Sequence, residues 1–192
     1  MRFIIIFLQA VQLAKQAGNQ VIGTVSSDEK AKLLKSVGCD RVVNYKKEDL
    51  GKVLKKEYPK GVDIVYESVG GELYKAALEN LAIKGKLIVI GIISGYQSGE
   101  AFSKSSIQTP IESLLLQKSA SVRGFLVLHY AHLFPQYLFQ LAQMVAENKV
   151  KGLVDNTPFY GLEQIPDAID FMYSGKNSGK IVVHAELTHS KL

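Results

Sequence analysis

Val62 to Glu67 reads VDIVYE and Lys86 to Ile92 reads KLIVIGI, and these two runs constrain the fold more than anything else in the chain. Both are nearly continuous in apolar, largely β-branched residues, without the polar alternation of a strand that has one face in water. Such strands are buried on both faces, as in parallel sheets covered by helices. Along the rest of the chain short apolar runs alternate with longer amphipathic ones, the pattern of βαβ units.

The punctuation fixes the order. Residues 9–17 read as a helix closed by Gly18, 20–25 as a strand, and Ser27 or Asp28 can cap a helix running to 37, where Gly38 ends it. A short strand at 41–44 leads to a helix at 46–58 that Pro59 stops. After the strand 62–67, Gly70-Gly71 breaks the chain and a helix runs to about 81, followed by the strand 86–92. The Gly/Ser-rich stretch 94–110 reads as a loop long enough to suggest a functional role. Beyond it the pattern predicts a helix at 111–117, a strand at 121–126 and a long helix at 129–148 interrupted or re-initiated at Pro135. A strand near Phe159, a helix at 162–173 and a last strand at 180–184 complete the order. The expected fold is α/β, a Rossmann-type doubly wound parallel sheet over residues 1–184 with a polar tail at 185–192.

A sheet of this type normally opens strand, Gly-rich loop, helix, with G-x-G-x-x-G/A holding a pyrophosphate at the helix N-terminus. Here the first helix is preceded only by MRFIIIFL, and no glycine occurs before Gly18. Either a first strand survives at 3–8 with a shortened turn, or the segment extends the helix. The sheet is therefore expected to be incomplete at its N-terminus.

Length and composition narrow the function classes. A chain of 192 residues accommodates one full domain and part of a second. Its net charge of +5 comes from scattered Lys and Arg, so no nucleic-acid footprint is indicated. Cys39 is the single cysteine, which rules out an intrachain disulfide and fits a reducing compartment. His129 and His132 lie three apart, but no third ligand is placed beside them, and no metal site is expected. The apolar run at the N-terminus is too short for a signal-peptide core or a membrane span. The chain ends Ser190-Lys191-Leu192, a match to the peroxisomal import address. The expectation is import through the peroxisomal receptor, against the alternative of a chance tripeptide.

Candidate binding residues gather where the predicted strands end. The strand QVIGTV ends in Ser26 and Ser27, with Lys30 just beyond. In a dinucleotide fold the end of the second strand faces the adenosine ribose: an acid there accepts from a free 2′-hydroxyl, whereas a basic or hydroxyl-rich end accommodates a 2′-phosphate. No acid stands at the strand end, which favours NADP over NAD, with Asp28 and Glu29 nearby as a counterweight. Lys30 can equally be solvated helix surface. Tyr45 can stack on adenine or donate to the phosphate, or be a half-buried tyrosine. Ser68-Val69-Gly70-Gly71 follows VDIVYE at the edge where open α/β sheets bind ligands, and its glycines can also form only a tight turn. Gly91 to Tyr96, GIISGY, ends the next strand at the same edge, and the Tyr96 phenol can donate to a developing enolate oxygen. Gly175 to Lys180, GKNSGK, lacks P-loop spacing; it reads as a phosphate contact or as a helix C-cap followed by a turn.

Taken together, VQLAKQAGNQVIGTVSSDEK, GCDRVVNYKKED, GVDIVYESVGG, GKLIVIGIISGY, SASVRGF and GKNSGKIVV resemble the C-terminal portion of a medium-chain dehydrogenase/reductase. The branch is that of the zinc-free quinone oxidoreductases and enoyl reductases, and the resemblance covers nearly all of the chain after Leu8. It implies an NADPH-dependent reductase of the enone double bond of a small-molecule substrate such as a 15-oxoprostaglandin. Hydride then reaches the β-carbon and hydroxyl donors stabilise the enolate. By the family's pattern Ser26, Lys30 and Tyr45 hold the adenosine phosphate end, and Ser68 and Ile90 line the cofactor groove. Tyr96 is the catalytic donor beside the nicotinamide ribose, Phe125, Leu126 and Val127 contact the nicotinamide end, and Asn177 closes over the cofactor. Family members also carry a GroES-like barrel domain, absent here, which with the missing glycine loop makes this chain look truncated. Weak NADP(H) binding and little or no turnover are expected of it alone. The alternative is a non-catalytic peroxisomal nucleotide-binding or dimerisation module, with a homodimer formed through SASVRGF.

Overall fold

The computed structural model describes residues 1–5, 8–93 and 110–185. It divides into two compact units, Met1–Val150 and Lys151–Leu192. The first is built on a six-stranded sheet of β1 (Arg2–Ile5), β2 (Gln20–Val25), β3 (Arg41–Asn44), β4 (Val62–Glu67), β5 (Leu81–Val89) and β6 (Ser121–Gly124). Every pairing is parallel, and the order is β3-β2-β1-β4-β5-β6. The N-terminal run is thus a strand, at the centre of the sheet: Ile5 pairs with Gly23 on one side and Tyr66 on the other.

Burial on both faces follows from neighbouring residues facing opposite cores. Val21 and Ile22 are adjacent and both fully buried, yet they belong to different clusters. Val21, Val25 and Val42 pack with Val11 and Ala14 of α1 (Leu8–Gln16) and Leu34 of α2 (Asp28–Ser36). Ile22, Val43, Val65 and Leu87 pack with Leu50 and Leu54 of α3 (Leu50–Glu57) and with Ala77 and Leu78 of α4 (Gly71–Glu79). This helix–sheet–helix layering is what unbroken apolar strands require.

The strands β2, β3 and β4 have the predicted bounds, whereas several other elements differ. The helix expected over 46–58 starts at Leu50: the Asn44 carbonyl accepts from the Lys47 and Glu48 N–H groups and holds a turn, and Asp49 then caps α3 by accepting from Lys52 N–H at 2.9 Å. The strand expected from 86 begins at Leu81, with a register shift between Val62 and Ile64 and a left-handed Lys84 (φ 61°) absorbing the irregularity. After α5 (Ile111–Lys118) and β6, the predicted long helix splits into a 3₁₀ helix, Val127–Leu133, and α6 (Phe134–Ala146), with Pro135 in the first turn. The functional loop expected at 94–110 lies outside the described residues apart from Pro110.

In the second unit β7 (Phe159–Tyr160) pairs in parallel with β8 (Val183–His184). The helix expected over 162–173 is a 3₁₀ turn, Leu162–Gln164, followed by α7 (Ile165–Tyr173) with Pro166 in its first turn.

Candidate functional site

The strand order reverses between β1 and β4, the position at which open α/β sheets hold ligands beyond their carboxyl ends. Five candidates stand on that edge by one rule. Ser26, Tyr45, Ser68, Ile90 and Phe125 are each the first residue after a strand, following β2, β3, β4, β5 and β6 respectively. Register aligns them: Val25 pairs with Asn44, Glu67 with Val89, and Val89 with Gly124. Backbone bonds carry the alignment one residue further, from Tyr45 N–H to the Val25 carbonyl at 3.0 Å, Ile90 N–H to Glu67 at 2.8 Å and Phe125 N–H to Val89 at 2.8 Å.

At the β2 and β3 ends, Ser27 caps α2 by accepting from Lys30 N–H at 3.3 Å. Lys30 is thereby in the first turn of the helix, Ser26 is half-buried and Tyr45 is exposed. Buried Asn44 donates from Nδ2 to Asp28 Oδ1 at 2.9 Å, and Lys47 Nζ donates to Asp28 Oδ2. The Lys47 hydrogen bond, with that of Asn44, holds the Asp28 carboxyl below its usual range, and the Asp28 carboxylate pushes the Lys47 ammonium up.

At the β4 end, Glu67 is buried and its Oε1 accepts from Val69 N–H and Gly70 N–H, both at 2.8 Å. The turn it organises passes through left-handed Gly70 and Gly71 (φ 83° and 58°) into α4, a path that needs glycine. Ser68 is 1% exposed, and its Oγ has no hydrogen-bond partner among the described residues. A buried hydroxyl without a partner is costly, and this one stands beside the switch point.

At the β6 end, Phe125 stacks on Tyr130 (centroids 4.7 Å apart), whose hydroxyl accepts from Arg123 at 3.1 Å. Leu126 and Val127 follow, about half exposed. Asn177 lies in the second unit, in a turn after α7, donating to the Gly179 carbonyl at 3.0 Å. Tyr96 and Ser190-Lys191-Leu192 lie outside the described residues.

The sequence reading missed Glu67 and the Asn44–Asp28–Lys47 group. Glu67 carried a signal, an acid ending an apolar strand directly before Ser-Val-Gly-Gly. Asn44 and Lys47 carried none, since their role depends on β3 lying beside β2.

A dinucleotide fits this edge unevenly. Ser26 and Tyr45 follow the paired ends of β2 and β3, Lys30 stands in the first turn of α2, and the Ser68 hydroxyl is buried at the centre. The β1–α1 connection consists of Ile6 and Phe7, neither of them glycine, and so lacks the residue type that lets backbone approach a pyrophosphate. Among the described residues no group of three or more His, Cys, Asp or Glu could hold a metal ion, and no helix is long and apolar enough to cross a membrane.

Known proteins give a consistent picture. Residues 8–145 match the zinc-binding dehydrogenase family. The chain is 50% identical over 189 residues to prostaglandin reductase-3 of Mus musculus, across 94% of this chain and 48% of the mouse protein. It is 46% identical over 180 residues to a probable quinone oxidoreductase of Leishmania amazonensis, across 92% of this chain and 53% of that one. Among solved structures, CurA from Vibrio vulnificus in complex with NADPH superposes with a TM-score of 0.84 at 26% identity, covering 97% of this chain and 57% of CurA. The chain spans about half the length of the curated relatives it matches.

Proposed function

The chain belongs to the zinc-binding dehydrogenase family, within the medium-chain dehydrogenase/reductases, and from that premise we propose that it is the nucleotide-binding half of an NADP(H)-dependent reductase of carbon–carbon double bonds, acting on an α,β-unsaturated ketone of the oxo-prostaglandin kind. One observation carries the reading: five successive strand ends present Ser26, Tyr45, Ser68, Ile90 and Phe125 along one sheet edge.

When bound, the reduced nicotinamide supplies a hydride to the β-carbon of the enone. The chain's own residues then divide the work. Ser26, Lys30 and Tyr45 hold the adenosine 2′-phosphate, Lys30 by charge and the others by hydroxyl donation. Ser68 and Ile90 line the groove, and Phe125, Leu126 and Val127 form an apolar rest for the nicotinamide end. Tyr96 donates to the enolate oxygen, a donor aimed at charge that develops only in the transition state. In a full-length relative, Tyr96→Phe at the matching position lowers kcat with little change in coenzyme affinity; unchanged turnover removes Tyr96 from the mechanism.

Coenzyme titration of this chain, followed by nicotinamide fluorescence, tests the reading directly. NADPH is expected to bind weakly and NADH more weakly still. Equal binding of the two defeats the assignment, and sub-micromolar NADPH affinity defeats the inferred cost of the glycine-free turn.

We also infer peroxisomal import through Ser190-Lys191-Leu192. A fluorescent protein ending in residues 185–192 is expected in peroxisomes and, with Leu192 deleted, in the cytosol. A second reading, a non-catalytic dimerisation module, is favoured by β6 standing at the end of the sheet, where a second copy can extend it. Tyr96 separates the two, because only the enzyme uses its phenol.

A further inference from the structure

An acidic side chain just past the end of β2 is the group that selects a free ribose 2′-hydroxyl and repels a 2′-phosphate. Asp28 stands there, two residues beyond Ser26, as the first residue of α2. Left unpartnered it would oppose the coenzyme assigned above.

Neither of its oxygens is unpartnered. Oδ1 accepts from Asn44 Nδ2 at 2.9 Å and Oδ2 accepts from Lys47 Nζ. Asn44 is the last residue of β3 and is buried, so its position is set by the sheet. Its amide cannot turn over without loss, because Oδ1 already accepts from Lys46 N–H at 3.2 Å, which leaves Nδ2 directed at Asp28. The Asn44 carbonyl also accepts from Lys47 N–H at 2.9 Å and closes the turn that brings Lys47 back over α2. One residue thus supplies the first donor and delivers the second. The second carboxylate of this corner, Glu29, is held by its own N–H and the Ser27 hydroxyl.

We propose that Asn44 and Lys47 shield the Asp28 carboxylate and thereby set the chain's preference for an adenosine 2′-phosphate over a free 2′-hydroxyl. The inference rests on the coenzyme reading above and adds residues that reading does not use. With a donor already on each oxygen, Asp28 is a poorer acceptor for a ribose hydroxyl. Its charge is balanced by Lys47. The shifts of Asp28 downward and Lys47 upward keep both charged through neutral pH.

The test compares adenosine 2′,5′-bisphosphate with adenosine 5′-monophosphate, titrated at one fixed salt concentration into the full chain and followed by NMR or calorimetry. The two probes differ only in the 2′-phosphate, and the fixed salt concentration holds screening constant across the variants. The wild-type chain is expected to prefer the bisphosphate. Lys47→Met, at an exposed side chain and so without a folding penalty, lowers that preference about tenfold, the weight of one unbalanced charge. Adding Asp28→Asn restores most of it, since a neutral side chain needs no shield. An unchanged preference in Lys47→Met overturns the proposal. So does a double variant as poor as Lys47→Met, because Lys47 is then a direct phosphate ligand. A wild-type chain that binds the two probes equally brings down the coenzyme reading itself, and the shield with it.

Discussion

Glu67 shows how much a single buried side chain organises here. Its carboxylate gathers two successive backbone N–H groups at the mouth of the sheet, and its own carbonyl accepts from Ile90. Replacing it with alanine removes the acceptor from both amides and releases the Ser68–Gly71 turn. Glu67→Ala is expected to lose about 2 kcal/mol in urea unfolding, within the range for depriving buried groups of a hydrogen bond. Glu67→Gln keeps an acceptor oxygen in place and loses less than half of that; equal losses would mean that charge, and not the acceptor, holds the turn. Cys39 is a different case. It is 6% exposed, its Sγ lies 3.3 Å from the Arg41 carbonyl, and burial pushes its thiol up from 9.0 to about 11. A raised folded pKa favours the folded state while the thiol is protonated, below 9.0, and that stability disappears as pH climbs toward 11. Loss of stability across this window, by roughly 3 kcal/mol, is expected to shrink in Cys39→Ala, with guanidinium melts at a series of alkaline pH values as the measure. Identical alkaline profiles would acquit the thiol.

The strand β5 shows what can and cannot be read from a sequence. Its closing run, LIV, announces a buried strand, and the Glu67–Ser68 turn before α4 is marked by paired glycines. The extension back to Leu81 was hidden, because Lys84 takes a left-handed conformation that glycine ordinarily takes, and the sequence shows only the resulting polar interruption, Ile83-Lys84-Gly85. The late start of α3 was hidden for a similar reason. KKED has good helix formers, and the contacts that keep it in a turn come from Asn44, a strand residue. The ends of β2, β3 and β4 could be located because those runs reach a polar residue, Ser26, Asn44 and Glu67, whereas β5 and β6 stop at Val89 and Gly124, short of the expected 92 and 126. Which ends become neighbours is a tertiary fact, and the Asn44–Asp28–Lys47 group exists only through it. The opposite edge of the sheet offers a test of how tightly β4 and β5 are joined. Gly61 has φ +77°, and a Cβ there would sit 2.6 Å from the Ala82 nitrogen. Gly61→Ala combines backbone strain with a clash against backbone that has no slack, and should cost about 3 kcal/mol by urea unfolding. A loss below about 1 kcal/mol would show that the edge yields.

On the proposed coenzyme reading, nucleotide affinity divides between two regions with separate determinants. The adenosine end depends on β2 and β3, whose ends are joined by register and by the Tyr45–Val25 bond. The pyrophosphate depends on the residues between β1 and α1, and here these are Ile6 and Phe7. Backbone amides at a helix N-terminus reach a phosphate only where no side chain intervenes, which is why glycine occupies such turns. Each amide-to-phosphate bond contributes about 1.5–3 kcal/mol net of its exchange with water. Replacing Ile6-Phe7 with a G-x-G-x-x-G turn should therefore raise NADPH affinity by at least about tenfold, even if only one such bond survives in net terms. Adenosine 2′-monophosphate has no 5′-phosphate to meet the new turn, so its affinity should not move. A gain for NADPH alone establishes the two regions as independent. A parallel gain for both ligands would mean that the new turn acts through the sheet as a whole, and no gain at all would mean that α1 does not address the pyrophosphate in this fold.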